Sequence, residues 1–246
     1  MAQRFTVVIG DEGAPRAEKR GDPAALAREA AALRAVAGRP WAPALLRHAP
    51  GLLVTARVPG GPRDLAALAT DEARRLGAVL RAVHATPGAA AGGLWWWAAP
   101  ARDLAAYREG RVRDAEEALA GTPDAGLARR LPPGPAPGGP FAFLHGDLVA
   151  ANVLWPPDGG PVLIDWEFQR MGDPAEDLAY LAELNALPAA VLSEVLEGYG
   201  EPDAAARVDG WRGLVAADAG AWYLGQGMHA EAERMLARAR RRAAPG

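Results

Sequence analysis

Three oxygen-bearing side chains carry the chemistry of this sequence. His145-Gly-Asp147 closes an apolar run, Asn152 follows five residues after the aspartate, and Asp165 ends the run Val162-Leu-Ile164. Between Asn152 and Asp165 lie two short apolar runs, 153–155 and 162–164, separated by Pro156-Pro-Asp-Gly-Gly160. β-Branched and aromatic residues around a Pro/Gly turn predict a hairpin. A hairpin brings its ends together, so Asn152 and Asp165 converge at one end, with Asp147 on the loop leading in. Hard oxygen donors of this kind suit Mg²⁺, which takes few protein ligands when phosphate oxygens and waters complete its shell.

The order H-x-D-x-x-x-x-N followed by a separate Asp is that of a kinase catalytic loop and its metal-binding aspartate. In that arrangement Asp147 accepts the proton of a substrate hydroxyl, and Asn152 and Asp165 hold Mg²⁺ against the ATP phosphates. An aspartate at its ordinary pKa is a weak base. In a loose transition state the hydroxyl proton leaves late, so positioning matters more than basicity.

The N-terminal part offers an independent sign. Lys19 is the only lysine in the chain; every other cationic side chain of the Lys/Arg type is Arg. A compact ammonium rather than a planar fork is wanted there. On a helix over 23–37, Leu26, Glu29 and Leu33 share one face. A carboxylate on an apolar stripe needs a partner, and Lys19 is the natural one. In kinases one Lys reaches the α/β-phosphates and pairs with a helical Glu.

Regular elements must hold these groups. Residues 5–9 read as a strand, Gly10-Asp-Glu-Gly13 as a turn, and 16–20 as the returning strand that carries Lys19. Asp22-Pro23 opens the helix, Asp capping it and Pro filling its first position, and Gly38 stops it. Residues 52–55 read as a buried strand, ended by Pro59-Gly-Gly-Pro62. Leu76, Leu80 and Val83 recur at helical spacing over 70–84. A helix over 103–120, a stiff exposed Pro/Gly connection over 131–140, a strand over 141–144 and mostly helix from Pro174 complete the outline. The fold class is α+β: a small lobe over 1–58, a hinge over 59–62 and a larger, mainly helical lobe over 63–246. Ligand sites often lie between such lobes.

Composition bounds the alternatives. Half of the 246 residues are hydrophobic, 23% are charged and the net charge is −3, which excludes a disordered chain and argues against a nucleic-acid partner. The absence of cysteine removes disulfides, thiolate metal sites and cysteine nucleophiles. No uncharged apolar run reaches membrane-spanning length. The short apolar start is followed at once by Gly10-Asp-Glu, so neither membrane association nor a signal peptide is expected, and a cytoplasmic location is. The basic end, 238–242, reads as a solvated helix tail.

Several stretches together resemble the aminoglycoside phosphotransferase/choline kinase family of small-molecule kinases, which share the protein-kinase-like two-lobed fold. They are Glu18-Lys-Arg20 with Arg28-Glu-Ala-Ala-Ala-Leu33, Leu52-Leu-Val-Thr-Ala-Arg-Val-Pro-Gly60, and Leu76-Gly-Ala-Val-Leu-Arg-Ala-Val-His84. The most specific are Phe143-Leu-His-Gly-Asp-Leu-Val-Ala-Ala-Asn152 and Val162-Leu-Ile-Asp-Trp-Glu-Phe168 with Gly172-Asp-Pro-Ala-Glu-Asp-Leu-Ala179. Gly146, where protein kinases carry Arg, favours a small-molecule acceptor. The resemblance implies Asp147 as catalytic base, Asn152 and Asp165 as metal ligands, and Lys19 with Glu29 as the phosphate-positioning pair. It also implies the backbone of Ala56 to Val58 as the adenine-binding hinge, and Asp177 as a buried brace. The cofactors would be Mg²⁺ and ATP or GTP. The family has a strand and a phosphate-covering loop ahead of the strand at 5–9, and only four residues precede Phe5. Either that loop is missing or Gly10–Gly13 substitutes for it, so the expectation is a truncated N-terminal lobe with weak nucleotide affinity or a low rate.

Residues 147–235 carry 16 Asp and Glu against 4 Arg, whereas 1–146 carry 14 against 19 Lys and Arg. An acidic larger lobe would attract a cationic acceptor. Trp166, Trp211, Trp222 and Tyr223 could bind an ammonium by cation–π attraction, and Trp95 to Trp97 could cap the acceptor pocket or pack the lobe junction. The expected function is phosphorylation of a hydroxyl on a small amine-bearing molecule such as an aminoglycoside-type antibiotic. A choline/ethanolamine-type kinase and a catalytically weak nucleotide-binding module of the same fold are the alternatives.

Overall fold

The first sheet is built from hairpins. In the computed structural model, β1 (Arg4–Ile9) pairs antiparallel with β2 (Pro15–Arg20), placing Phe5 opposite Lys19. The capped helix α1 (Pro23–Ala35) follows; Asp22 Oδ1 accepts from Ala24 N–H at 3.0 Å and Pro23 takes the first turn. β3 (Leu45–Ala49) and β4 (Leu52–Ala56) turn through Gly51, whose φ of 75° lies in the left-handed region. β4 pairs with β2 with Leu53 opposite Lys19, giving the order β1-β2-β4-β3. The described residues are 4–9, 15–87, 101–132, 134 and 140–244. The turn expected at Gly10–Gly13 and the Trp95–Trp97 run lie outside them, as does most of the Pro/Gly connection.

The larger lobe runs β5 (Gly61–Pro62), α2 (Thr70–His84), α3 (Leu104–Ala118), α4 (Leu127–Arg130), β6 (Ala142–Leu144), β7 (Val153–Trp155), β8 (Val162–Leu163), β9 (Arg170–Gly172), α5 (Pro174–Leu184), α6 (Ala189–Tyr199), α7 (Ala204–Gly225) and α8 (His229–Ala243). β5-β7-β8 make a small antiparallel sheet, and β6 pairs antiparallel with β9. One apolar core joins α1 (Leu26, Leu33) to α2 (Leu76, Leu80) and to Phe143, Leu163 and Trp166 beneath the expected site. No helix among the described residues is long and apolar enough to cross a membrane.

Three readings are corrected. β3 was not expected, because Leu46 and Arg47 are exposed on this edge strand and break the apolar alternation. β9 was not expected either, since Arg170-Met-Gly172 has no strand composition and exists by pairing with β6. The basic end is not a plain solvated tail. Arg238 reaches Glu183, Arg240 makes a two-pronged pair with Asp124 at 2.7 Å on each prong, and Arg242 meets Asp209 at 2.9 Å.

α2 and α6 touch backbone to backbone through two glycines. A Cβ on Gly77 would lie 2.0 Å from Val195 O, and one on Gly198 2.0 Å from Arg74 O. This approach fixes α2, whose last residue, His84, bonds Tyr199 of α6 through Nδ1 at 2.9 Å and reaches into the site through Nε2. Gly77→Ala should therefore force the helices apart and cost about 1–3 kcal/mol or more, read as a lower urea midpoint at unchanged m-value.

Candidate active site

Strand alternation turns Ala17 and Lys19 of β2 inward. The Lys19 ammonium lies 2.9 Å from Glu29 Oε2 on α1, 2.5 Å from Asp165 Oδ1 and 3.5 Å from Glu167 Oε2. The expected pair is thus present, and the cluster is larger than expected. Burial alone would lower the Lys19 pKa, but Glu29 and then Asp165 outweigh it and hold it above its usual value. One ammonium cannot neutralise three carboxylates. Burial, with Asp165 and Glu167 close by, pushes Glu29 up to about 7 against the pull of Lys19. A cavity of about 200 Å³ opens beside this cluster, lined by Lys19, Leu53, Ala56, Val58 and Asp165 among others. At its edge Ala56 N–H is taken by Ala44 O at 2.8 Å and Arg57 N–H by Pro15 O at 3.0 Å. Val58 is the next backbone donor along that wall.

Asp147 sits on a loop held from beneath. Asp177 of α5, fully buried, accepts His145 N–H at 2.7 Å, Gly146 N–H at 2.9 Å and His84 Nε2 at 3.2 Å. Burial would raise its pKa; the His84 hydrogen bond and charge reverse this and hold it below the usual carboxylate range. His145 is buried and its pKa lowered by that burial. Nε2 lies 2.9 Å from Ile164 O, and Nδ1 accepts Asp147 N–H at 3.3 Å, which fits a neutral ring carrying its proton on Nε2. Gly146 has φ 85°, and a Cβ there would lie 2.1 Å from Phe168 O and 2.3 Å from an Arg170 nitrogen. The backbone therefore requires glycine at this position whatever the acceptor.

The hairpin β7–β8 brings its ends together as expected: Val153 pairs with Leu163, and Ile164 N–H donates to Asn152 O at 3.0 Å. Asn152 Nδ2 donates to Asp147 O at 3.0 Å and to Asp147 Oδ2 at 2.8 Å, so its amide oxygen is the atom left to ligate. Asp165 has φ 63°, uncommon for a residue with a Cβ. That conformation turns the chain into the 3₁₀ segment Trp166–Phe168, with Asp165 at Lys19 and Trp166 in the core. Single oxygens of Glu29, Asp165 and Glu167 lie within 4.8 Å of one another. These three carboxylates are hard oxygen donors of the kind a divalent cation takes. Glu167 was quoted in the sequence only as part of a motif; its spacing two residues after Asp165 was the available signal. Burial pushes the Asp147 carboxyl up, opposed by His145 and by the Asn152 hydrogen bond and aided by Asp165 and Glu167.

A second cavity, of about 270 Å³, lies on the other side of this turn, lined by Asp147, Glu167, Tyr180, Asp218, Trp222 and Tyr223 among others. Of the aromatics singled out in the sequence that are among the described residues, Trp222 and Tyr223 reach it and Trp166 and Trp211 do not. Trp166 is fully buried against Trp41, Phe143 and His145. Trp211 is buried and donates to Asp173 at 3.0 Å. The acidity of 147–235 is likewise partly internal. Glu176 is paired with Arg111 and Arg170, Asp173 with Arg207, and Glu183 with Arg212. On the cavity wall Asp218 is held by Tyr180 and, at 3.0 Å, by Arg111. Nothing in the sequence distinguishes Asp218 from the paired carboxylates.

Because Asp177 titrates below its unfolded value, its contribution to stability is present above about pH 4 and is lost as pH falls through the folded pKa. Asp177→Asn should lower the urea midpoint at pH 7 and flatten the acid limb of the midpoint–pH curve below pH 4.

Comparison with known proteins identifies the family and the fold. The model of the phosphotransferase enzyme family matches residues 10–213. Over 81 residues the chain is 38% identical to viomycin phosphotransferase of Streptomyces vinaceus, a stretch amounting to 30% of this chain and 28% of that protein. The fold is similar to macrolide 2'-phosphotransferase MphH from Brachybacterium faecium, with TM-score 0.71, 22% identity, and 96% of this chain and 87% of that one covered. It is similar also to a choline/ethanolamine kinase family protein from Mesorhizobium loti, with TM-score 0.70, 20% identity, and 98% and 88% covered. At these identities the likenesses speak to the fold, which is the two-lobed, protein-kinase-like one. The chain thus belongs to the phosphotransferase enzyme family.

Proposed function

We propose that the protein is an ATP- and Mg²⁺-dependent phosphotransferase that phosphorylates a hydroxyl of a small amine-bearing molecule. One observation carries this reading. A single turn offers Asp165 to the Lys19 cavity and Glu167 to the cavity that holds Asp147, so a nucleotide phosphate in the first faces an acceptor in the second. Lys19, held by Glu29, supports the α/β-phosphates, and the backbone of Ala56 to Val58 receives the adenine. Asn152 and Asp165 would hold Mg²⁺, which supplies charge neutralisation at the phosphates when bound. Asp147 orients the acceptor hydroxyl and takes its proton, a task its raised pKa assists.

The acceptor cavity presents Asp147, Glu167 and Asp218 with the half-exposed Trp222 face, a setting that favours a cation. The likeness to viomycin phosphotransferase puts an antibiotic ahead of other amines. The Trp222–Tyr223 edge-to-face pair at 5.3 Å suits a quaternary ammonium as well, which keeps a choline/ethanolamine-type acceptor as the second reading.

Labelled ATP and GTP, each offered with aminated antibiotics, choline and ethanolamine, test both. Transfer to an antibiotic but not to choline is expected. MgATP-induced thermal stabilisation with no product on any acceptor would instead identify a nucleotide-binding module. Asp147→Ala should lower kcat by about 10²- to 10⁴-fold and leave the ATP-induced shift in Tm in place. Loss of both with a cooperative fold retained would remove Asp147 from its assigned role. Trp222→Ala should raise the acceptor KM by about tenfold, the cost of a desolvated cation–π contact, with kcat little changed.

A further inference from the structure

The loop bearing Asp147 is fastened to α5 at two places, and the second has had no role so far. At the start of the loop Asp177 takes His145 N–H and Gly146 N–H. Beyond Asp147, the residue that ends α5, Asn185, engages the loop on its other side. Its Nδ2 donates to Leu148 O at 2.7 Å and its Oδ1 accepts Ala150 N–H at 2.8 Å. The same Nδ2 donates to Leu181 O at 2.8 Å, which ties the amide to its own helix and fixes its rotamer. Both polar atoms of the side chain are therefore engaged. One rigid helix thus grips residues 145–146 and 148–150, and Asp147 stands between the two grips.

We infer that Asn185 is a positioning residue for phosphoryl transfer, setting the backbone that aims Asp147 at the acceptor hydroxyl. This inference rests on the proposed function, in which Asp147 is the group to be aimed. Neither Asn185 nor its hydrogen-bond partners Leu148, Ala150 and Leu181 line the Lys19 cavity, so its effect is expected on the transfer step rather than on nucleotide binding. A displacement of the aligned group by about an ångström is enough to cost on the order of a hundredfold in rate.

The test is a cycle of Asn185→Ala, Asp147→Ala and the double variant. Turnover is measured with labelled MgATP on the acceptor found by the screen, or with water as acceptor. MgATP affinity is followed by thermal shift, and amide exchange over 144–153 by mass spectrometry. Asn185→Ala should lower kcat by about 10- to 100-fold with KM for ATP and the MgATP-induced shift unchanged, and should speed exchange at 148–152. In the Asp147→Ala background it should have no further effect, because both variants disable one function. A kcat within twofold of wild type overturns the inference. So does a loss that multiplies that of Asp147→Ala, or one that tracks falling ATP affinity. Should Asn185→Ala not fold, Asn185→Asp, which keeps the bond from Ala150 and loses the donor to Leu148, is read by the same criteria. If wild type transfers phosphate to nothing, the functional reading fails, and exchange alone decides the grip: unchanged exchange at 148–152 refutes it, faster exchange sustains it.

Discussion

A single ammonium group joins the two lobes. Lys19 comes from the first sheet, Glu29 from the helix behind it, and Asp165 and Glu167 from a turn of the larger lobe; all three carboxylates meet at one nitrogen. A charge this deeply buried is tolerated only because it is surrounded by its opposites. The geometry also accounts for the one lysine in a chain that otherwise uses arginine. A guanidinium is a flat fork, whereas three oxygens approaching from different elements need a point charge with donors that rotate. The excess negative charge left around Lys19 is what the divalent cation of the proposed function would neutralise.

The larger lobe solves a different problem, keeping a loop without regular structure in one conformation. α5 does this. Asp173 caps its first turn, Asp177 anchors the loop ahead of Asp147, and Glu183 and Asn185 close its far end. α2 and α6 support the anchor through His84 and Tyr199, and their glycine contact leaves no slack in that support. Backbone donors pointing at one buried carboxylate define a loop more sharply than apolar packing can, because an unmet donor is costly and directional.

Much of this was legible before any coordinates. Asp147, Asn152 and Asp165 were readable because they sit at fixed offsets around a hairpin that the turn residues announce. Lys19 and Glu29 were readable because a unique lysine and a carboxylate on an apolar stripe each ask for a partner. Asp218 and Asn185 were not, because their meaning comes from neighbours distant in the sequence, and an isolated Asp or Asn carries no periodic signal; Glu167 offered only its spacing after Asp165. Trp166 and Trp211 are core, the commoner fate of a Trp at helical spacing, and the sequence could not separate that from a ligand surface because burial depends on distant neighbours. Gly146, read as favouring a small-molecule acceptor, also meets a backbone requirement, as the contacts a Cβ would make there show.

The division of labour between α5 and α7 has an evolutionary corollary. The groups that fasten the Asp147 loop are on α5, while Asp218, Ala219, Trp222 and Tyr223 of α7 line much of the wall of the cavity proposed to take the acceptor. Exchange of side chains along that wall leaves the fastenings of the loop untouched. Descendants of such a scaffold are free to diversify in what they modify while the reaction they perform stays the same.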